Sequence, residues 1–445
     1  YLLQAHGGYD DSGKLLGVPI VTTPEGASSN FNLPRNTFAE CMKAIYDDCD
    51  SALALLPDKY TDIASESDIP AYYKQMGADV DRMNRVFGSK FNGRMDASIV
   101  KAFRSKAALL AASPAFSAES GTTHQQAADY AAQVLDAIGG ISGTDPPGWT
   151  WYANNSEIDG LSNGANPKEV MWRGEKASNN DWETDNYPPS LYGKGRINPT
   201  QNFVDAFPAA NGYPITDPRS DYDPSDPYSN RDPRLTAYVV VDGGAVGVNN
   251  TVINTEKGSG KDGINNEVGS STRTGYYLRK LLRQDINLDP KVNSKQFHYT
   301  PRIRYTEIFL NYAEAANEAF GPKGTGTHAY SAYDVIKAIR HRAGITDDSY
   351  LDECAESKDK MRELIRNERR IELSFEGFRF WDLRRWKAPI TETAKGMSIA
   401  TDNNGLKTYT PIDVETRDYK DYMYYGPIPY SEMLKFSELK QNKGW

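Results

Sequence analysis

The chain has 445 residues, 39% hydrophobic and 25% charged, with a formal net charge of −9. Its mean hydropathy of −0.65 and pI near 5.3 allow a sizeable buried core and argue against nucleic acid as the main partner. No run of about eighteen apolar residues occurs, which excludes an apolar membrane-crossing helix.

The first predicted helix follows a capping box, Thr37-Phe38-Ala39-Glu40, and carries Met42, Ile45, Tyr46, Cys49, Leu53 and Leu56 to Pro57. An insertion over residues 58–92 comes next, and its Tyr72, Tyr73 and Phe87 make it a secondary binding candidate. Residues 96–112 form a second helix, with Ile99, Phe103, Ala107, Leu110 and Ala111 on one face. A third covers residues 124–138 and stops at Gly139-Gly140.

Residues 140–300 are punctuated by Gly, Pro, Asn, Asp and Ser, with short β-like pieces at 169–173 and 235–241. Beyond them Thr300 is expected to cap a fourth helix, with Pro301 in its first turn and Gly321 closing it. Helices over 331–343 and 360–376 complete the set. Small residues at Ala107-Ala108 and at Ala313, Ala315 and Ala316 permit close helix packing. The expected fold is mainly α, with tetratricopeptide-like helix pairs as a scaffold, although the strict repeat of about 34 residues is absent. The chain reads as one domain over 1–445, with the scaffold mainly in 31–140 and 300–390. The loop-rich, ligand-binding half, with its short β-strands, lies mainly in 140–300.

The chain holds 28 tyrosines and 7 tryptophans against 15 phenylalanines. Rings with a polar tip suit wet ligand surfaces, although many tyrosines also cap loops. The densest cluster follows Asp145-Pro146-Pro147-Gly148. Trp149 and Trp151, two apart, would share one side of an extended segment, and Tyr152 is adjacent. Trp182, Tyr187 and Tyr192 follow, interleaved with Asn154, Asn155, Asn179, Asn180, Asp181 and Asn186. Aromatic faces stack on pyranose rings while amides and carboxylates meet sugar hydroxyls. The candidate ligand-binding residues are therefore Trp149, Trp151, Tyr152, Trp182, Tyr187, Tyr192, Asn154 and Asn155. One or two of the tryptophans could instead anchor the loop to the helical body.

Other motifs fail on chemistry. Gly258-Ser259-Gly260-Lys261 lacks the glycine five residues before the lysine, and Asp262 stands where Ser or Thr is needed for a phosphate-binding loop. Asp221, Asp223, Asp226 and Asp232 suggest a calcium loop, but Pro224 and Pro227 intrude and the glycine and closing glutamate are missing. A structural calcium there stays open, and no other cofactor or metal is expected. His6, His124, His298, His328 and His341 offer no pair at metal spacing. Cys41, Cys49 and Cys354 are too few and too odd in number for a disulfide framework. They read as small core residues.

The most distinctive run lies near the C-terminus. Arg366-Asn367-Glu368-Arg369-Arg370-Ile371-Glu372-Leu373 is followed by Phe375-Glu376-Gly377-Phe378-Arg379-Phe380-Trp381-Asp382-Leu383-Arg384-Arg385-Trp386. Leu364, Glu368, Ile371, Glu372 and Phe375 recur at three- and four-residue steps, so two carboxylates share an apolar stripe. Carboxylates are seldom buried without partners, and arginines supply bidentate donors. A bundle knitted by internal ion pairs is the favoured reading; a catalytic carboxylate pair is the other.

This run resembles the signature of the SusD/RagB family. The helix through Arg304-Tyr305-Thr306-Glu307 to Asn311-Tyr312-Ala313-Glu314-Ala315 is similar to that family's, as is the turn Ile339-Arg340-His341-Arg342-Ala343-Gly344. Arg231-Asp232-Pro233-Arg234-Leu235 and Gly275-Tyr276-Tyr277-Leu278-Arg279-Lys280 resemble two more family blocks. The ending Leu439-Lys440-Gln441-Asn442-Lys443-Gly444-Trp445 matches the usual one, with Lys443 in place of proline. Tyr1-Leu2-Leu3-Gln4 and Gly7-Gly8-Tyr9 look like the end of a helix well inside the family pattern, so the N-terminal portion is expected to be missing.

The resemblance implies a non-catalytic, lipid-anchored protein on the extracellular face of the outer membrane. It would capture glycan and pass it to a TonB-dependent transporter of the SusC type. Two alternatives remain, a peptide-binding relative and, less favoured, a glycoside hydrolase.

Overall fold

Thr37 behaves as its position demands. Its hydroxyl accepts from the Glu40 amide, the Glu40 carboxylate accepts from the Thr37 amide, and helix α1, Phe38–Leu55, follows. In this computed structural model, which describes every residue except Asn163 and Val268, five further helices of eleven or more residues follow, four of them similarly started. Asp96 caps α2, Ala97–Ala112, and Thr123 caps α3, His124–Leu135, which runs on through a tight turn to left-handed Gly139. The others are α4, Tyr305–Phe320, α5, Ala332–Arg342, with a capping box of Ser331 and Asp334, and α6, Lys358–Glu372, capped by Ser357.

These helices pack as neighbours in the tetratricopeptide manner, α3 against α2 and α4, and α4 against α5 and α6. Ala108, Ala128, Ala131, Ala313, Ala315 and Ala316 are wholly buried at these contacts. Methyl-sized side chains let the backbones close up, and the larger Leu310, Ile336 and Met361 fill the remaining space.

Two sequence expectations need correction. Thr300 and Pro301 do not start a helix. Pro301–Arg304 is a strand paired antiparallel with Val170–Arg173, and α4 begins only at Tyr305. The Glu169 carbonyl and carboxylate accept from the amides of Tyr305 and Thr306, so a distant residue does the work of the cap. Residues 235–241 are likewise not one strand: Arg234–Tyr238 is helical and only Val239–Val240 pairs, with Tyr277–Leu278. Burial of Leu235 and Tyr238 against the same core satisfies their β-like apolar pattern from a helix.

Between residues 140 and 300 the described helices have six residues or fewer. One short antiparallel ribbon ties this half to the segment that leads into α4, and another lies within it. Strand β1, Val170–Arg173, pairs with β4, Pro301–Arg304, and β2, Ala177–Asn179, pairs with β3, Gln296–His298. A third ribbon, β5, Ala394–Thr401, with β6, Lys407–Glu415, was not anticipated from the sequence.

The C-terminal charged run is interior. Arg234 donates to Asp232, Glu368 and Glu372. Arg340 reaches Glu368, Arg342 reaches Glu372, and Arg304 bridges Glu169 and Glu376. Lys280 completes the set, with its ammonium on Glu376 Oε1 at 2.7 Å and on the carbonyls of Glu372 and Ser374. Desolvation of so many ions is costly and is offset only because nearly every lone pair has a donor. Burial works to raise the Glu372 carboxyl, but Arg342, Arg234, Arg304 and Lys280 outweigh it and hold it at about 2. The two stripe carboxylates, Glu368 and Glu372, are thus both closed by internal ion pairs.

Candidate functional site

A cavity of about 340 Å³ opens where the β2–β3 ribbon leaves the scaffold. One wall is Glu175, Ala177, Asn179, Asp181 and Trp182, from β2 and the short helix Asp181–Asn186 after it. Phe297, His298, Tyr299, Thr300 and Pro301, from the paired strand β3 and its link to β4, extend that lining. Trp151 and Tyr152 close the inner side, and Glu376 carries the buried ion network to the cavity's edge.

The rings divide into inner and outer sets. Trp182 is 39% exposed and Phe297 38%, whereas Trp151, Tyr152 and Tyr299 are buried. Trp151 lies against Tyr299 at 5.5 Å between centroids and edge-on to Tyr152 at 5.9 Å. Tyr152 is held by its hydroxyl, which donates to the Ala237 carbonyl at 2.7 Å. Trp151 Nε1 and Tyr299 Oη are buried and have no hydrogen-bond partner among the described residues.

The cations of the lining are internally committed. Arg283 is paired with Asp159 and Asp285. His298 places Nε2 3.1 Å from Glu183 Oε1 and Nδ1 3.0 Å from the Gln296 carbonyl. Burial tends to lower the His298 pKa, but the bond and charge of Glu183 override it and the ring titrates above its ordinary value. Asp181 and Glu175 are exposed and belong to none of the ion pairs that close the other charges.

The predicted site residues separate accordingly. Residues 148–153 form tight helical turns, so Trp149 and Trp151 do not share one side of an extended strand. Trp151 turns into the core at the cavity's inner wall, and Trp149 is half-buried against Tyr238, outside the lining. Trp151, Tyr152 and Trp182 are brought together; Tyr187 and Tyr192 are not. Tyr187 is 1% exposed and its hydroxyl donates to the Arg283 carbonyl, which removes it from any surface platform. Tyr192 is 57% exposed but stands outside the lining, with left-handed backbone at the end of a turn. Asn154 spends its amide and carbonyl capping the helix Asn155–Gly160 at Glu157, and Asn155 is the first residue of that helix.

Phe297, His298 and Tyr299 were missed. Their signal was a short alternation, Gln296-Phe297-His298-Tyr299, hidden beside a stretch read as a helix cap. The secondary candidate, residues 58–92, does present a surface aromatic trio, with Tyr73 5.2 Å from both Tyr72 and Phe87. A larger cavity of about 670 Å³ lies between α1, α2 and the segment after α6, lined by Phe103, Trp172, Arg302, Phe378 and Trp381. None of the predicted site residues lies there. Among the described residues no three His, Cys, Asp or Glu side chains converge to hold a metal. In the supposed calcium loop Asp232 is taken by Arg234, and Asp223 accepts from Ser225 in its own turn. No described helix is long and apolar enough to cross a membrane.

Comparison with known proteins matches this architecture. A SusD-like protein of Bacteroides fragilis superposes with a TM-score of 0.72 at 24% identity, over 100% of this chain and 76% of that one. A SusD-like carbohydrate binding protein of the same species gives 0.64 at 22% identity, over 99% and 77%. A SusD-like protein of Formosa agariphila is 29% identical over 130 residues, which span 29% of this chain and only 23% of that relative. The family profile described as the SusD family matches residues 153–445, which take in the β2 and β3 lining of the cavity, the buried ion network and the α4–α6 helices, and the chain belongs to that family.

Proposed function

We propose that the protein is a non-catalytic glycan-binding protein of the outer-membrane surface, lipid-anchored, that captures oligosaccharide and delivers it to a TonB-dependent transporter. The observation that carries this reading is the cavity at the β2–β3 ribbon, where half-exposed Trp182 and Phe297 flank an opening whose rim offers Asn179 and Asp181. Exposed indole stacks on the apolar face of a pyranose, and neighbouring amide and carboxylate groups orient it through its hydroxyls. One solved relative is described as a carbohydrate binding protein, which supports the same reading for this chain. Few contacts on a preformed surface give modest affinity, and modest affinity suits hand-off.

Calorimetric titration against plant and host oligosaccharides, with peptides alongside, tests it. Glycan binding by the wild type, reduced at least tenfold in Trp182→Ala, is expected. Binding of peptides with no glycan bound would replace it with the peptide-import reading. Co-purification of a TonB-dependent transporter from solubilised outer membranes is the expected partner result.

A further inference from the structure

We infer that the cavity at the β2–β3 ribbon selects uncharged, hydroxyl-rich sugar units and turns away uronate- or sulfate-bearing ones; this deepens, and rests on, the glycan reading above. The cavity's polar groups divide unevenly into those already held and those left free. Its two lining cations are closed off. Arg283 has both ends of its guanidinium on Asp159 and Asp285, and His298 has Glu183 and the Gln296 carbonyl on its two nitrogens. Glu376 is similarly filled by Lys280 and Arg304. Asp181 and Glu175 remain, both exposed and without an ion-pair partner among the described residues. Lys176, between them in sequence, leans over Phe297 with Nζ 4.3 Å from the ring centroid and donates to the Asp159 carbonyl, so a single ammonium, committed to that ring and carbonyl, stands against two carboxylates.

The free capacity at the rim is therefore anionic and accepting. Hydroxyl protons of a neutral sugar match it, whereas a sugar carboxylate or sulfate would face like charge with no available guanidinium. A second observation points to a ligand independently. Trp151 and Tyr299, both more than nine-tenths buried, line the same cavity on adjacent rings, and their Nε1 and Oη are without partners among the described residues. Indole N–H can only donate and the phenol can do either, so a hydroxyl or ring oxygen satisfies both, and an anion is not required. Buried polar groups left unmatched are costly, which makes their pairing by a ligand a source of specificity. The cavity's volume lies at the small end of the range for ligand sites, roughly 300–1,000 Å³, so it reads a short stretch of the glycan.

Titration of the full chain with neutral oligosaccharides (xylo-, manno-, malto- and galacto-hexaose) and with tri- to hexagalacturonate and a sulfated galactan oligomer tests this. At least one neutral series is expected to bind, with the anionic ones at least tenfold weaker at low salt. Tyr299→Phe, which removes one oxygen, is expected to weaken neutral binding about fivefold with an unchanged melting temperature. Asp181→Asn with Glu175→Gln is expected to raise galacturonate affinity several-fold, with the gain erased by salt. Tight anionic binding by the wild type overturns the inference while leaving glycan capture intact. So does neutral binding indifferent to both Tyr299→Phe and the double variant, which would move the site elsewhere. No binding to any glycan overturns the glycan reading itself, and the inference with it.

Discussion

The Arg234 guanidinium lies 2.8 Å from Glu368 Oε2, and neither side chain has any surface in contact with solvent. The two are 134 residues apart in sequence, so this pair joins the loop-rich half to helix α6 through the protein's centre. Replacing Arg234 by Met leaves Asp232, Glu368 and Glu372 short of a shared counter-ion. The expected loss is about 3–5 kcal/mol, read as a lower urea midpoint at unchanged slope.

Buried ion pairs of this network and of the neighbouring Arg385–Glu314 cluster set the acid limit of the fold. Glu372 and Glu314 are both held at about 2, against burial, by Arg342, Arg234, Arg304 and Lys280 in one case and chiefly by Arg385 in the other. Their folded values lie below the unfolded one, so their contribution is complete above about pH 4.5 and is lost as pH falls toward 2. Each is worth on the order of 3 kcal/mol by that difference. Urea unfolding at steps from pH 6 to pH 2.5 is expected to show a steep fall over this window, and a shallower one in Glu372→Gln. A flat profile would mean that folding leaves these carboxyls at their unfolded values.

Two tryptophans thirty-one residues apart should answer oppositely. Trp182→Ala, at a rim position 39% exposed, is expected to change stability by less than about 0.5 kcal/mol while abolishing most glycan affinity. Trp151→Ala, at 5% exposure within the core, is expected to cost about 3–5 kcal/mol. Equal effects of the two on thermal melting would contradict the inner and outer division of the cavity's rings.

Gly275 opens one of the sequence blocks and is required by geometry. Its φ is +84°, and a Cβ placed there would stand 2.3 Å from the Met397 carbonyl oxygen. Met397 in turn donates its amide to the Thr274 carbonyl at 2.8 Å, which pins β5 to this turn. Gly275→Ala is expected to lose more than about 1 kcal/mol, with faster amide exchange in β5 as the local readout.

What was readable in the sequence was local. Capping at Thr37, Asp96 and Ser331 is completed within three residues, so those helices were legible from spacing alone. The start of α4 was not, because its cap is Glu169, which only the pairing of β1 with β4 brings to Thr306. Buried ion pairing of Glu368 and Glu372 was inferable from charge within an apolar stripe, but their partners Arg234, Arg304 and Arg340 came from three distant segments.

The aromatic candidates show the same boundary. Trp149, Trp151, Tyr152, Trp182, Tyr187 and Tyr192 were alike as sequence, all ring-bearing residues in a polar loop. By itself the sequence determined the helix set, the family blocks and the aromatic richness of the loop-rich half, because short-range hydrogen bonds and periodic patterning act within a few residues. Only the tertiary structure decided that Tyr187 belongs to the core, that Trp182 faces solvent, and that Phe297 and Tyr299 line one cavity with it, because burial depends on what distant segments cover each ring.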